Sequence, residues 1–179
     1  MPPPKRIPLS LRKPLIIAID PGQNGGISWK LGELVQTKKL PKEDDYGTLP
    51  YFLQEIQGGT PRSLVRVFVE QQMPRPTFLF DRKTKKFYPT ILKSTCILYG
   101  GYQYLLGVLT ALDLEVTPVP PANWMKSLGM KQTKGENKSS WKNRLRDLAL
   151  EYYPHLKVTL AVSDSLLLLH YATNLLGKK

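Results

Sequence analysis

The sequence predicts an α/β domain in which a mixed five-stranded sheet is flanked by helices. Three observations carry that reading. The chain opens with three short strand-like runs joined by Gly-containing turns. Strand-like and helix-period segments alternate after them. A length of 179 residues with 41% hydrophobic side chains suits one globular core. Hairpin-linked strands followed by helix-crossed strands imply a sheet with both antiparallel and parallel neighbours and helices on its faces.

The elements follow in order. LIIAID (15–20) is apolar and rich in β-branched residues, the signature of a buried strand. GGISWK and ELVQTKKL continue as second and third strands. TLPYFLQEI, after the acidic KEDDYG, places Leu49, Phe52, Leu53 and Ile56 on one helical face. GGTPR breaks that helix, and SLVRVFVE (63–70) forms a fourth strand ending at Glu70. QQMPRPTFLFDRKTKKFYP reads as a proline-punctuated basic loop. Residues 91–112 read as a helix in which Gly100 and Gly101 permit close packing or a bend. LEVTPVP is the fifth strand, NWMKSLGM a short helix and SSWKNRLRDLALEYY a longer amphipathic one. The last helix begins near Val162. Residues 1–13 are basic and proline-rich and read as a flexible arm, leaving 14–179 as a single domain.

Charge points to the partner. Lys and Arg number 26 against 14 acidic residues, a net of +12, which favours a polyanion such as nucleic acid. Ribosomal and other RNA-binding proteins share such an excess, so charge names no reaction. One cluster holds Arg82, Lys83, Lys85, Lys86 and Lys93 around Phe87 and Tyr88. A second holds Lys126, Lys131, Lys134, Lys138, Lys142, Arg144 and Arg146 around Trp141. Cations interleaved with aromatics suit phosphate contact plus base stacking, although a solvated surface has the same composition. No run reaches the ~18 apolar residues of a membrane span. The N-terminal stretch lacks the apolar core of a secretory signal. The single cysteine, Cys96, excludes an intrachain disulfide and a Cys-rich zinc site, and fits a reducing compartment. It reads as a small buried apolar residue. Localisation is expected to be cytoplasmic or nucleoid-associated, or in an organellar matrix.

Three acids stand at element ends. Asp20 closes the first strand ahead of the turn PGQNGG, and Glu70 closes the fourth. Asp164 opens the last helix. Each has an ordinary explanation as well: turn opener, exposed strand end, helix cap. If the first and fourth strands are parallel neighbours, however, Asp20 and Glu70 emerge at one edge, within reach of Asp164. Three carboxylates there make a hard-oxygen site suited to Mg²⁺ or Mn²⁺ and to phosphodiester hydrolysis. No Cys/His or Ser/His/Asp set offers covalent catalysis. His170, among leucines, reads as packed, while Trp124 and Trp141 read as anchors of their helices.

These segments resemble the RuvC-like Holliday junction resolvases of the ribonuclease H-like superfamily, and look closest to the phage and chloroplast branch. The markers are IIAIDPGQNGGISW, VFVEQQMPRP, YGGYQYLLGVLTALDLEVTPVPPANWMKSLGM and the helix entered by SDSLLLLHYA, spanning about 14–176. The resemblance implies a ribonuclease H-like fold and a homodimer that cuts four-way DNA junctions by paired symmetric nicks. It also implies two Mg²⁺ or Mn²⁺ ions per site and products with a 5′-phosphate and a 3′-hydroxyl. Asp20, Glu70 and Asp164 match the metal-binding acids. Lys131 and Lys138 fall where the family carries lysines that contact the scissile phosphate. Gln71, Gln72, Met73 and Arg75 fall where it probes the junction centre. Arg82, Lys83, Lys85, Lys86, Lys134 and Lys142 are the other expected DNA contacts.

One departure stands out. The family usually places a fourth metal-binding residue three or four positions before the last acid, where this chain has Ala161 and Leu160. Either three carboxylates suffice, or a ligand such as Asp81, Thr159 or Ser163 comes from elsewhere, or the chain binds junctions and cuts them poorly. A nuclease for RNA precursors is a further alternative.

Overall fold

Leu15–Ile19 has five apolar side chains in a row because the strand they form is buried on both faces. In the computed structural model, which describes residues 13–22, 24–41, 48–74, 77–90 and 93–177, this strand, β1, is the centre of a five-stranded sheet. Its partners are β2 (Gly26–Leu31), β3 (Leu34–Lys39), β4 (Val65–Glu70) and β7 (Val116–Val119), in the order β3-β2-β1-β4-β7. The β1–β2 and β2–β3 pairs are antiparallel, whereas β1–β4 and β4–β7 are parallel. The mixed sheet expected from the sequence is therefore the one that forms.

Side-chain alternation divides the core into two layers. Leu15, Ile17 and Ile19 join Val65, Val67 and Val69 against α1 (Thr48–Gln57) and α2 (Lys93–Ala111), through Leu49, Leu53, Tyr102, Leu105 and Leu109. Ile16, Ala18 and Phe68 face the other way. They pack with Trp124 of α3 (Pro121–Ser127), with Trp141, Leu145 and Ala149 of α4 (Lys138–Tyr152), and with Leu166–Leu169 of α5 (Ser163–Gly177). Both tryptophans anchor their helices, as the sequence suggests. The start of α5 is buried around its circumference, Ser163 to Leu169 all lying inside, with Leu166–Leu169 supplying the apolar part.

Three expectations change. The basic stretch after β4 is not an open loop: β5 (Thr77–Asp81) and β6 (Lys86–Thr90) pair as an antiparallel hairpin forming a second sheet. Alternating aromatic and apolar residues favour that pairing, and the Asp81 carboxylate closes the turn by accepting from the Lys83 amide at 2.9 Å and the Thr84 hydroxyl at 2.8 Å. Cys96 is exposed, because α2 buries the row Tyr102, Leu105, Leu109 and turns Cys96 outward. Gly100 has open space where a Cβ would stand, so it serves no close packing. Most of the basic arm lies outside the described residues, as does Arg75.

The seat of α5 depends on a glycine. A Cβ at Gly26 would lie 2.6 Å from the Ala161 carbonyl oxygen and 2.9 Å from the Val162 Cα, both backbone atoms that cannot swing aside. Next to it, buried Ser28 and Ser165 share a hydrogen bond of 2.8 Å, and Ser28 also meets the Thr37 hydroxyl at 2.9 Å. Gly26→Ala should therefore push α5 off the sheet and destabilise the protein by about 2 kcal/mol or more. Urea denaturation midpoints check this; an unchanged midpoint would refute the close-packing argument.

Candidate active site

The site is built on a coincidence of register. Ile19 of β1 pairs with Val69 of β4, so the next residues, Asp20 just past β1 and Glu70 at the end of β4, stand side by side, on strands about 4.8 Å apart. Both follow the alternation of Ala18 and Phe68 and so project on the α3–α4–α5 face. Asp164 sits in the first turn of α5, which crosses that face, and is 4% exposed. The helix N-terminus favours a carboxylate there.

Each acid is held. The Gly22 amide donates to Asp20 Oδ1 at 3.0 Å, and the Asp20 amide donates to the Gly26 carbonyl at 2.9 Å. The turn needs glycine at position 25, where a Cβ would fall 2.0 Å from the Asp20 carbonyl oxygen. Glu70 accepts from the Trp124 indole N–H at 3.1 Å on Oε2 and from the Gln72 amide at 3.2 Å on Oε1. Asp164 Oδ1 accepts from the Ser163 hydroxyl at 3.1 Å, and Oδ2 is paired with the Lys142 ammonium.

The three charges feel one another. Burial, then the charge of Asp164, pushes the Asp20 carboxyl up to about 6, against the Gly22 amide and Lys142. Burial, then Asp20 and Asp164, pushes Glu70 up to about 8, despite the Trp124 hydrogen bond and Lys142. For Lys142, burial favours the neutral amine, but attraction to Asp164, Asp20 and Glu70 outweighs it and its pKa is raised. Burial and then like-charge repulsion raise the two carboxyls, whereas attraction to opposite charges raises the lysine.

The other expected residues sort by place. Lys142 reaches inward to Asp164. It flanks the buried stripe Trp141, Leu145 and Ala149, so its stem lies along apolar surface while its head enters the site. Lys138 is one turn earlier on the same row of α4 and is exposed. Lys131 lines a cleft of about 640 Å³ with Lys126, Met125, Met130 and Trp141. Lys134 is exposed in the loop ahead of α4, which Glu136 organises by accepting from the Thr133 amide at 3.0 Å and pairing with Arg144 at 2.9 Å. Gln71 extends the sheet through its amide to the Val119 carbonyl at 2.8 Å, Gln72 supports Glu70, and Met73 is exposed. Arg82, Lys83, Lys85 and Lys86 ring the tip of the β5–β6 hairpin, below exposed Phe78, Phe80 and Phe87. His170 is packed, stacked on Tyr152 at 4.0 Å between ring centres. The supporting roles of Trp124 and Lys142 are absent from the sequence reading. The signal for Lys142 was its position beside a buried helical stripe; for Trp124 no local pattern exists.

The fold is ribonuclease H-like. Thermus thermophilus RuvC in complex with a Holliday junction substrate superposes with a TM-score of 0.52 at 13% identity, covering 91% of this chain and 96% of that one. A second Thermus thermophilus RuvC structure gives 0.49 with the same identity and coverage. No protein-family model and no curated protein matches the chain. Among the described residues no helix is long and apolar enough to cross a membrane.

The donor set tests which cations suit the corner. Among the described residues no group of three or more His, Cys, Asp or Glu is arranged to hold one ion. Asp164 is committed to Lys142, and Ala161 and Leu160 offer no donor atom. These residues do not fit a pair of ions. Asp20 and Glu70 fit one, because Mg²⁺ commonly takes one or two carboxylates and completes its shell with water and phosphate.

The raised carboxyls carry a sign. Asp20 and Glu70 bind protons more tightly folded than unfolded, where their ordinary values are 3.8 and 4.5. The stability of the metal-free protein should therefore fall as pH rises from about 4 to 8. Glu70→Gln should raise Tm by ~5 °C at pH 8 and leave it nearly unchanged at pH 5. Thermal melts in chelator at both pH values check this, and equal shifts would contradict it.

Proposed function

We propose that this chain is a RuvC-like, divalent-cation-dependent endonuclease that acts on four-way DNA junctions. The observation that carries the reading is the convergence of Asp20, Glu70 and Asp164 at one strand edge, in a chain of net charge +12. The shared ribonuclease H-like fold supports it. Asp20 and Glu70 would hold Mg²⁺ or Mn²⁺, which supplies Lewis-acid polarisation of the scissile phosphate and a more acidic bound water. Trp124 and Gln72 keep the Glu70 carboxylate oriented, and the Gly22 amide does so for Asp20. Lys131 and Lys138 offer charge to the phosphate undergoing attack. The hairpin tip offers Arg82, Lys83, Lys85 and Lys86 to backbone phosphates, and its aromatic residues offer stacking surface. A homodimer would bring two such sites to symmetry-related strands of a two-fold junction, with paired nicks leaving 5′-phosphates and 3′-hydroxyls.

A second reading has one observation in its favour: with Lys142 on Asp164, the corner is partly neutralised without metal, as in a protein that binds junctions and does not cut. A labelled four-way junction incubated with Mg²⁺ or Mn²⁺ separates the two. Paired nicks, reduced ~100- to 1,000-fold by Asp20→Asn with binding retained, establish the nuclease. Tight binding without nicks establishes the binder, and preference for RNA duplex in competition would overturn both.

Replacing Lys83, Lys85 and Lys86 together by alanine should weaken junction binding and flatten its salt dependence. The slope of log K against log[salt] should fall by ~0.9 for each phosphate that is no longer neutralised. Binding titrations at several salt concentrations read this directly; an unchanged slope would remove the hairpin from the interface.

A further inference from the structure

The ribonuclease H-like nuclease resemblance implies two cations per site, and the donor set of this corner does not match that number. Its carboxylate oxygens accept mostly from neutral donors, which leave each a free lone pair; the exception is Asp164, whose Oδ2 carries an ammonium. Glu70 accepts on both oxygens, from Gln72 and Trp124. Asp164 accepts on both, from Ser163 and Lys142. Asp20 accepts from Gly22 on Oδ1, and among the described residues no hydrogen bond reaches its Oδ2. The positions where a fourth ligand would stand are Ala161 and Leu160, and neither side chain has a donor atom.

The Lys142 ammonium is the only cation among the described residues that pairs with any of the three acids. Its position follows from the fold, since α4 packs on α5 and carries Lys142 beside the buried Trp141–Leu145–Ala149 stripe. The side chain is 33% exposed and its carboxylate partner 5%, so the pair is shielded on one side by protein. The Lys142 ammonium already balances the Asp164 carboxylate, which leaves Asp20 and Glu70 as the two carboxylates for one divalent ion. A lysine is also a competent point charge for phosphate, so the position it occupies remains useful when a strand is bound.

We propose that this site takes a single divalent cation, held by Asp20 and Glu70, and that the Lys142 ammonium on Asp164 supplies the positive charge a second cation would otherwise provide. The inference rests on the nuclease reading for its meaning, but its measurement does not require cleavage. Free Mn²⁺ is followed by electron paramagnetic resonance while the purified chain is titrated, with circular dichroism to confirm that each variant is folded. The wild type binds one Mn²⁺ per chain, and Asp20→Asn weakens that ion at least 10-fold. Lys142→Met binds two, because Asp164 is released, while Lys142→Arg keeps one. Two ions or none in the wild type would overturn the proposal. So would a folded Lys142→Met that still binds one, or an Asp20→Asn of unchanged affinity. If Lys142→Met fails to fold, the wild-type count and Lys142→Arg still decide. A chain that binds one Mn²⁺ and leaves junctions intact supports the ion count while refuting the nuclease; a junction-cutting chain that binds two does the reverse.

Discussion

The parallel pairing of β1 with β4 is the constraint from which the rest of the site follows. Because Ile19 and Val69 stand opposite one another, both strands run out together, and Asp20 and Glu70 are delivered to the same edge and face. A slip of one residue would turn one carboxylate toward the α1–α2 layer, among Leu53, Leu105 and Leu109, where an unpaired charge is prohibitively costly. The register is protected by that penalty and by the apolar faces on either side of β1.

Asp164 reaches the same edge by a different device. Gly26 and the Ser28–Ser165 hydrogen bond let α5 lie directly on the start of β2, closer than any larger residue would allow. The first turns of α5 are buried all round, so the helix has no freedom to roll and carry Asp164 away. Three chain segments distant in sequence thus meet because one pair of strands is in register and one glycine has no side chain.

Bringing three carboxylates together opposes folding, and the structure answers with directed donors. Trp124 and Gln72 serve Glu70, Gly22 serves Asp20, and Ser163 and Lys142 serve Asp164. The donors do not cancel the repulsion: Asp20 and Glu70 still hold protons well above the usual carboxylate range. The corner thus keeps negative charge that its own donors leave partly unbalanced.

How much of this was legible in the sequence follows from the range of the interactions. Strand order along the chain, the helices and the three acids at element ends are local features, set by apolar periodicity and by turn residues, and these were readable from residues 15–29, 63–70 and 163–172. The sequence does not reveal the β5–β6 hairpin because flanking prolines and a run of lysines mask the aromatic strand residues Phe78, Phe80, Phe87 and Tyr88. Cys96 was misplaced because composition says nothing of which way α2 turns. The inward course of Lys142 and the bond from Trp124 to Glu70 were decided only by tertiary packing. A lysine on a helix reads the same whether its neighbour is water or a carboxylate 22 residues further on, and an indole N–H finds a partner 54 residues away only once α3 lies on the sheet. The sequence by itself determined which groups could do chemistry; the packing of α3, α4 and α5 on one face of the sheet decided which of them meet.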